Sequence, residues 1–278
     1  MTCLERNTGA RDLLLSAISR RPRGLFTDVD GTISALAPTP EAAVLLPGVR
    51  ELLAEALHVF DIVAAVSGRA AHDARRLVGL PELLYIGNHG LERLDPYTRS
   101  GRPNARVAVY PAARASIQPI NRVMDEVERK LAPRFPGLHI ERKGVTGSIH
   151  VRKTLDPLAA EEAVDAALRE AAVATGLRVT RGKMVVELRP SINVDKGTIL
   201  TELVREYGLA GAVYFGDDVT DIDGFRALRR LTVEGVCQGA TIAVLHAEAP
   251  ENLAREADIA LDGVDQVLDL LRWMLTHA

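Results

Sequence analysis

Short apolar runs that end in glycine or aspartate alternate with longer amphipathic stretches along most of this 278-residue chain. Such alternation predicts an α/β fold around a largely parallel sheet, whose strands are buried on both faces and joined through helices. The run at 25–27 ends in Asp28, that at 59–66 in Ser67-Gly68-Arg69, that at 83–86 in Gly87-Asn88-His89-Gly90, and that at 212–215 in Gly216-Asp217-Asp218. Residues 195–206 read as a helix entered at an acidic residue. Ligands of open sheets lie beyond the carboxyl ends of the strands, so these loops are expected to frame one site.

Between 104 and 190 the pattern changes to helix, two strands, helix, two strands, with helices at 116–131 and 158–174 and strands at 138–142, 148–152, 177–181 and 185–188. Pro96, Gly101 and Pro103 punctuate the entry to this stretch and Pro190 its exit. The expectation is two domains: a Rossmann-like parallel-sheet core formed by 1–103 and 191–278, and an inserted α+β domain at 104–190. After Phe225 come apolar runs at 231–233, 242–245 and 259–261, then a terminal helix from about 264.

Apolar residues make up 47% of the chain and charged ones 26%, the balance of a soluble globular protein. A net charge of -3, from 34 basic and 37 acidic residues, argues against nucleic acid as a partner. Cys3 and Cys237 form neither a disulfide framework nor a zinc motif, which fits a reducing cytoplasm. The leucine run at 13–15 is too brief for a signal-peptide core, and no apolar stretch approaches the roughly 18 residues of a membrane span.

Chemistry concentrates at the strand ends. Asp28 and Asp30, two apart after an apolar strand, can share a metal ion, one acting as nucleophile and the other as general acid and base; alone, such a pair also suits a turn or a helix cap. Asp217, Asp218 and Asp221 place three more carboxylates at another strand end, where repulsion calls for a cation. Oxygen-only ligands favour magnesium, with Asp217 as the direct ligand and Asp221 either a ligand or a helix cap. Lys196 would offset charge on a phosphoryl group, and Ser67 with its turn amides could bind the same oxygens.

In this order, the DVDGT segment from Asp28, the serine of VSGR, the lysine of DKG and the GDDVTD segment from Gly216 resemble the four motifs of the haloacid dehalogenase (HAD) superfamily of phosphotransferases. The resemblance implies that Asp28 attacks phosphorus, that Asp30 protonates the leaving oxygen and then activates water, and that Ser67 and Lys196 hold the phosphoryl group. It also implies magnesium bound by Asp28, the carbonyl of Asp30 and Asp217, and an insert between the second and third motifs that serves as a mobile cap.

Within the superfamily the chain is similar to the trehalose-6-phosphate phosphatases, through SGR, GNHG from Gly87, ERKG from Glu141 with His150 and Arg152, GKMVVELRP from Gly182, DKG and GDDVTDIDGFRAL. One departure is Ile222, where many members carry an acidic residue. That likeness implies release of phosphate from trehalose 6-phosphate, the last step of trehalose biosynthesis. It puts Arg69, Asn88 and His89, and from the cap Glu141, Lys143, Lys183 and Glu187, among the substrate-binding residues. A disaccharide rich in hydroxyls calls for charged groups able to bond several at once, and alternation sets Lys183, Val185 and Glu187 in phase on one strand face.

Competing expectations are a related phosphatase of sucrose phosphate, mannosylglycerate phosphate or a hexose phosphate, a mutase, and an inactive sugar-phosphate sensor. Residues 176–184 resemble a P-loop only loosely, because the glycine spacing is one too long and Met184 stands where Ser or Thr would hold magnesium. Neither a GxSxG elbow nor an HExxH helix occurs.

Overall fold

A computed structural model describes residues 8–278 apart from 38, 99 and 183, so the Lys183 expectation lies outside the described residues. Two compact units emerge, one of Met1–Ala108 with Val194–Ala278 and one of Val109–Asn193. These divisions lie a few residues beyond Pro103 and Pro190, because a proline punctuates a loop or strand end without marking where contacts change. Pro190 itself pairs with Leu177 as the last residue of its strand.

The chain runs α1 (Thr8–Ile18), β1 (Arg23–Thr27), α2 (Val49–Val59), β2 (Ile62–Val66), α3 (Ala71–Val78), β3 (Leu84–Gly87), β4 (Glu92–Leu94) and β5 (Ala108–Val109). Next come α4 (Ile117–Leu131), β6 (His139–Arg142), β7 (Gly147–His150), α5 (Pro157–Thr175), β8 (Leu177–Gly182) and β9 (Val185–Pro190). It continues through α6 (Lys196–Glu206), β10 (Gly211–Gly216), α7 (Val219–Val233), β11 (Gln238–Val244), α8 (Leu253–Glu256), β12 (Ile259–Leu261) and α9 (Asp265–His277).

The main sheet has the order β12-β11-β10-β1-β2-β3-β4-β5, and its pairs from β12 to β3 are parallel. Every residue of β1, β2 and β10 is buried, as expected for strands covered on both faces. Thr27 is level with Ala65 on one side and Phe215 on the other, so the chains emerging from β1, β2 and β10 do so side by side. Register therefore places the loops that carry Asp28, Ser67 and Asp217 side by side.

Three sequence expectations need correction. Val59 ends α2, and the strand begins only at Ile62, after Asp61 has accepted a hydrogen bond from the Arg23 amide. The apolar run at 59–66 joined the end of one element to the start of the next. Residues 231–233 belong to α7, because Ile222, Phe225, Leu228 and Leu231 continue a single buried helical face. The β7 strand also stops at His150, two residues short of the expected end, and the Val151 amide turns to the Met184 carbonyl.

The inserted unit is an antiparallel sheet, order β6-β7-β9-β8, with α4 and α5 on one face. Ile149, Val186 and Leu188 pack there against Val123, Met124, Val164 and Leu168 of the helices. Asp156 caps α5 by accepting the Ala159 amide, and Gly176 ends it with φ 67°. On the opposite face Glu141, Ser148, Glu187 and Thr180 lie in one row across the four strands. Among the described residues no helix is long and apolar enough to cross a membrane.

Candidate active site

The turn after β1 is shaped by contact with the loop after β10. Gly31 has φ 81°, and a Cβ there would stand 2.1 Å from an Asp217 carboxylate oxygen, so only glycine fits. Thr32 Oγ1 donates to Asp217 Oδ1 at 2.9 Å, and the Asp28 amide donates to the Phe215 carbonyl at 2.8 Å. These bonds fix Asp28 beside Asp217.

Lys196 opens α6, whose N-cap Asp195 accepts the Thr198 amide at 2.7 Å. The lysine is 2% exposed, and its Nζ donates to Asp28 Oδ1 at 2.7 Å and to Asp221 Oδ1 at 2.6 Å. Asp221 closes a capping box with Asp218 at the start of α7, so the helix-cap alternative describes it well. Its Oδ2 accepts the amides of Asp217 and Asp218, each at 3.0 Å, while Oδ1 also accepts the Tyr214 hydroxyl. Each oxygen thus carries two hydrogen bonds, which fills the acceptor capacity of a carboxylate.

Asp28, Asp217 and Asp221 each offer an oxygen lying within 4.8 Å of the others, and all three residues are buried. Burial first, then repulsion by Asp221, pushes the Asp217 carboxyl up to about 8. Asp28 is likewise raised well above the carboxylate range by burial, against the pull of Lys196. Burial opposes the charge on Lys196, but Asp221 and Asp28 outweigh it and raise its pKa. One lysine does not balance three carboxylates. Asp28 and Asp217 therefore hold protons more tightly than free carboxyls, and a hard divalent cation on these oxygen donors would relieve that repulsion.

Arg69 reaches Asp30 through two hydrogen bonds of 2.6 and 2.7 Å, so the Asp30 side chain lies apart from the three-carboxylate group. Ser67 is buried, its hydroxyl accepting the Arg69 amide at 3.2 Å, and its carbonyl accepts the His89 amide at 3.0 Å. Asn88 is fully buried and hydrogen-bonds Glu92, whose carboxylate also accepts the first amide of α3. It thus braces the loop from within. The His89 ring presses on Gly68, where a Cβ would lie 2.6 Å from the imidazole.

Three contributors escaped the sequence reading: Thr32, Tyr214 and His246. His246 Nε2 lies 3.0 Å from Asp217 Oδ2. The strand-end rule could have found it, because it directly follows the apolar run at 242–245.

On the inserted sheet, Lys143 Nζ stands 3.5 Å from both Glu141 and Glu187, and His150 Nε2 is 3.1 Å from Glu141. Ser148 Oγ donates to Glu187 at 3.1 Å, and Arg189 Nε stands 3.6 Å from the same carboxylate. Ser148 and Arg189 are additions to the expected set. Burial would raise the Glu141 pKa, yet the His150 hydrogen bond and the Lys143 charge prevail and draw it down to about 2.

A profile of the trehalose-phosphatase family matches residues 26–264, most of the chain. The chain belongs to the trehalose-phosphatase family. The trehalose-phosphate phosphatase of Mycobacterium tuberculosis is 33% identical over 257 residues, covering 91% of this chain and 61% of the relative. Trehalose 6-phosphate phosphatase RA3 of Zea mays is 32% identical over 274 residues, covering 93% of this chain and 71% of that protein. This member of the family therefore spans about three-fifths of the mycobacterial relative's length.

The fold matches the C-terminal domain of Candida albicans trehalose-6-phosphate phosphatase with a TM-score of 0.73 at 22% identity, over 96% of this chain and 97% of that one. A HAD-superfamily phosphatase, BT1666 of Bacteroides thetaiotaomicron, matches at a TM-score of 0.55 and 18% identity, over 91% of this chain and 94% of that one. The fold is that of HAD phosphatases.

Proposed function

We propose that this chain hydrolyses trehalose 6-phosphate to trehalose and phosphate, with magnesium bound by Asp28, Asp217 and the main-chain carbonyl of Asp30. The observation that carries the reading is a buried nucleophile candidate, Asp28, held 2.7 Å from Lys196 beside Asp217. The names of the Mycobacterium tuberculosis and Zea mays relatives supply the substrate. Asp221, with both oxygens already doubly bonded, contributes charge and rigidity instead of a lone pair.

In the first step an Asp28 oxygen attacks phosphorus, the ester P–O bond breaks, and Asp30 gives its proton to the departing sugar oxygen. In the second, water attacks phosphorus, Asp30 takes its proton, and the acyl-phosphate P–O bond breaks to restore Asp28. Arg69 aims the Asp30 carboxyl through its two hydrogen bonds, and when Asp30 carries the proton on one oxygen the other can still accept from the guanidinium. Lys196, with Ser67 and its turn, balances charge on the phosphoryl oxygens. Asp28, Asp217 and the Asp30 carbonyl would hold magnesium, which would supply further positive charge for the transferring group.

The inserted unit is assigned to the sugar, through Glu141, Lys143 and Glu187, with Lys183 carried over from the family pattern alone. Its proposed role as a mobile cap rests on its position between the second and third motifs. The two widely spaced cysteines favour the cytoplasm.

Phosphate release from a panel of trehalose 6-phosphate, sucrose phosphate, mannosylglycerate phosphate and hexose phosphates tests the reading. Preferred, magnesium-dependent turnover of trehalose 6-phosphate is expected. Preference for another ester would reassign the substrate, an isomeric product would indicate a mutase, and no turnover on any of them would indicate a sensor.

A further inference from the structure

The loop after β11 brings to the carboxylate cluster a group that none of the four motifs contains. His246 Nε2 is 3.0 Å from Asp217 Oδ2, and its Nδ1 accepts the Glu248 amide at 3.1 Å. A neutral imidazole has one donor and one acceptor nitrogen, so acceptance at Nδ1 places the ring proton on Nε2. His246 therefore donates to Asp217, and its Nε2 has no lone pair to offer a metal. On the other oxygen of the same carboxylate, the Thr32 hydroxyl donates at 2.9 Å. The two donors fix the plane of Asp217 from opposite ends while leaving acceptor capacity on each oxygen.

We infer that His246 is a positioning residue for the metal carboxylate: it donates through Nε2 to Asp217 Oδ2 and holds that group ready for magnesium. The inference rests on the proposed role of Asp217 as a ligand and adds a residue outside the four motifs. Outer donors of this kind orient a ligand, and their removal typically weakens metal binding roughly ten- to a hundredfold. His246 is 19% exposed at its side chain, against 4% for Asp217, so it sits at the edge of the cluster.

Calorimetric titration of the metal-free full chain with magnesium chloride tests this without any substrate. His246→Ala should raise the magnesium Kd about ten- to a hundredfold. His246→Gln, whose side-chain amide can replace the Nε2 donor, should keep most of the affinity. If the alanine variant does not fold, His246→Leu, which fills the space without a donor, carries the same expectation.

Two results would overturn the inference: an unchanged magnesium Kd in the variants that lack a donor, or an equal loss in His246→Gln. Wild type that binds no magnesium would overturn both this inference and the assignment of Asp217. Wild type that binds magnesium as tightly as His246→Ala would overturn this inference alone.

Discussion

In the larger unit, Asp28, Lys196, Asp217 and Asp221 arrive on separate loops or helix starts, and their contacts measure 2.6 and 2.7 Å within a buried cluster. In the inserted unit, Glu141, Ser148 and Glu187 arrive on neighbouring strands in one register row, and Lys143 spans two of them at 3.5 Å. The first arrangement fixes atoms; the second offers a row of charged and polar groups at strand spacing. Bond making at one phosphorus atom needs the first kind, because a displacement near 1 Å can cost about a hundredfold in rate. A sugar with many hydroxyls can be gripped by the second.

The sharpest way to break the comparison is Asp28→Asn. An amide cannot form the phosphoenzyme, so turnover on every ester should fall by at least about ten-thousandfold, as when other covalent nucleophiles are removed. Lys196 keeps Asp221 as a partner, and one of three mutually repelling carboxylates is gone. The metal-free variant should therefore melt no lower than wild type. Folded protein with substantial phosphate release would remove Asp28 from the mechanism.

Equivalent amputations in the two regions should then diverge. Lys196→Met leaves Asp28 and Asp221 buried without their cation, a loss of about 3–5 kcal/mol by analogy with other broken buried pairs. Lys143→Met leaves Glu141 beside His150 and Glu187 beside Arg189, so about 1 kcal/mol or less is expected. Denaturant melts of both variants without metal measure the difference. Similar losses would mean that the inserted cluster is as tightly determined as the core.

The same contrast explains what could be read in advance. Asp28 and Asp30, or Asp217 and Asp221, are near in sequence and follow apolar strands, so their convergence was visible from strand ends. The parallel register aligns Thr27 with Phe215, and oxygens of Asp28, Asp217 and Asp221 lie within 4.8 Å of one another. Lys196 was legible as a helix start, whereas its complete burial depends on packing that no local pattern records. Glu141 and Glu187 are paired through Ser148 across three strands, a non-local register without a signature of its own. Family resemblance named two of them and passed over Ser148 and Arg189. Elements went astray at 59–66 and 231–233, where an apolar run crossed or belonged to a helix and hydrophobicity alone could not say so.

Specificity separates the regions in another way. Glu187→Ala removes a charge-assisted acceptor from the proposed sugar row while Asp28, Lys196 and Asp217 keep their contacts. Losing such hydrogen bonds costs about 1.5–3 kcal/mol, so kcat/KM for trehalose 6-phosphate should fall roughly ten- to a hundredfold relative to that for an aryl phosphate. The informative quantity is the ratio of the two losses. Equal falls on both substrates would assign Glu187 to the fold instead of the sugar.

An effect smaller than that of Glu187→Ala concerns Glu141, whose carboxyl sits at about 2 in the folded chain instead of near 4.5. A depressed carboxyl pKa means that the unfolded chain binds the proton more readily. The group therefore contributes stability above pH 4.5 and loses it as pH falls towards 2. The full displacement would correspond to roughly 3 kcal/mol. The neighbourhood is partly open to water, and glutamine keeps an oxygen for His150, so Glu141→Gln should cost only about 1–2 kcal/mol at neutral pH. Hydrogen exchange of amides in β6 and β7, followed from pH 7 down to pH 3, measures that difference where it arises. The difference between wild type and variant should shrink as the pH drops below 4.5, since the unfolded chain then binds a proton at Glu141 that the folded chain takes up only near pH 2. A difference that stays constant over the whole range would mean that Glu141 stabilises its strands by packing, and that His150 and Lys143 do not hold it as a charged partner.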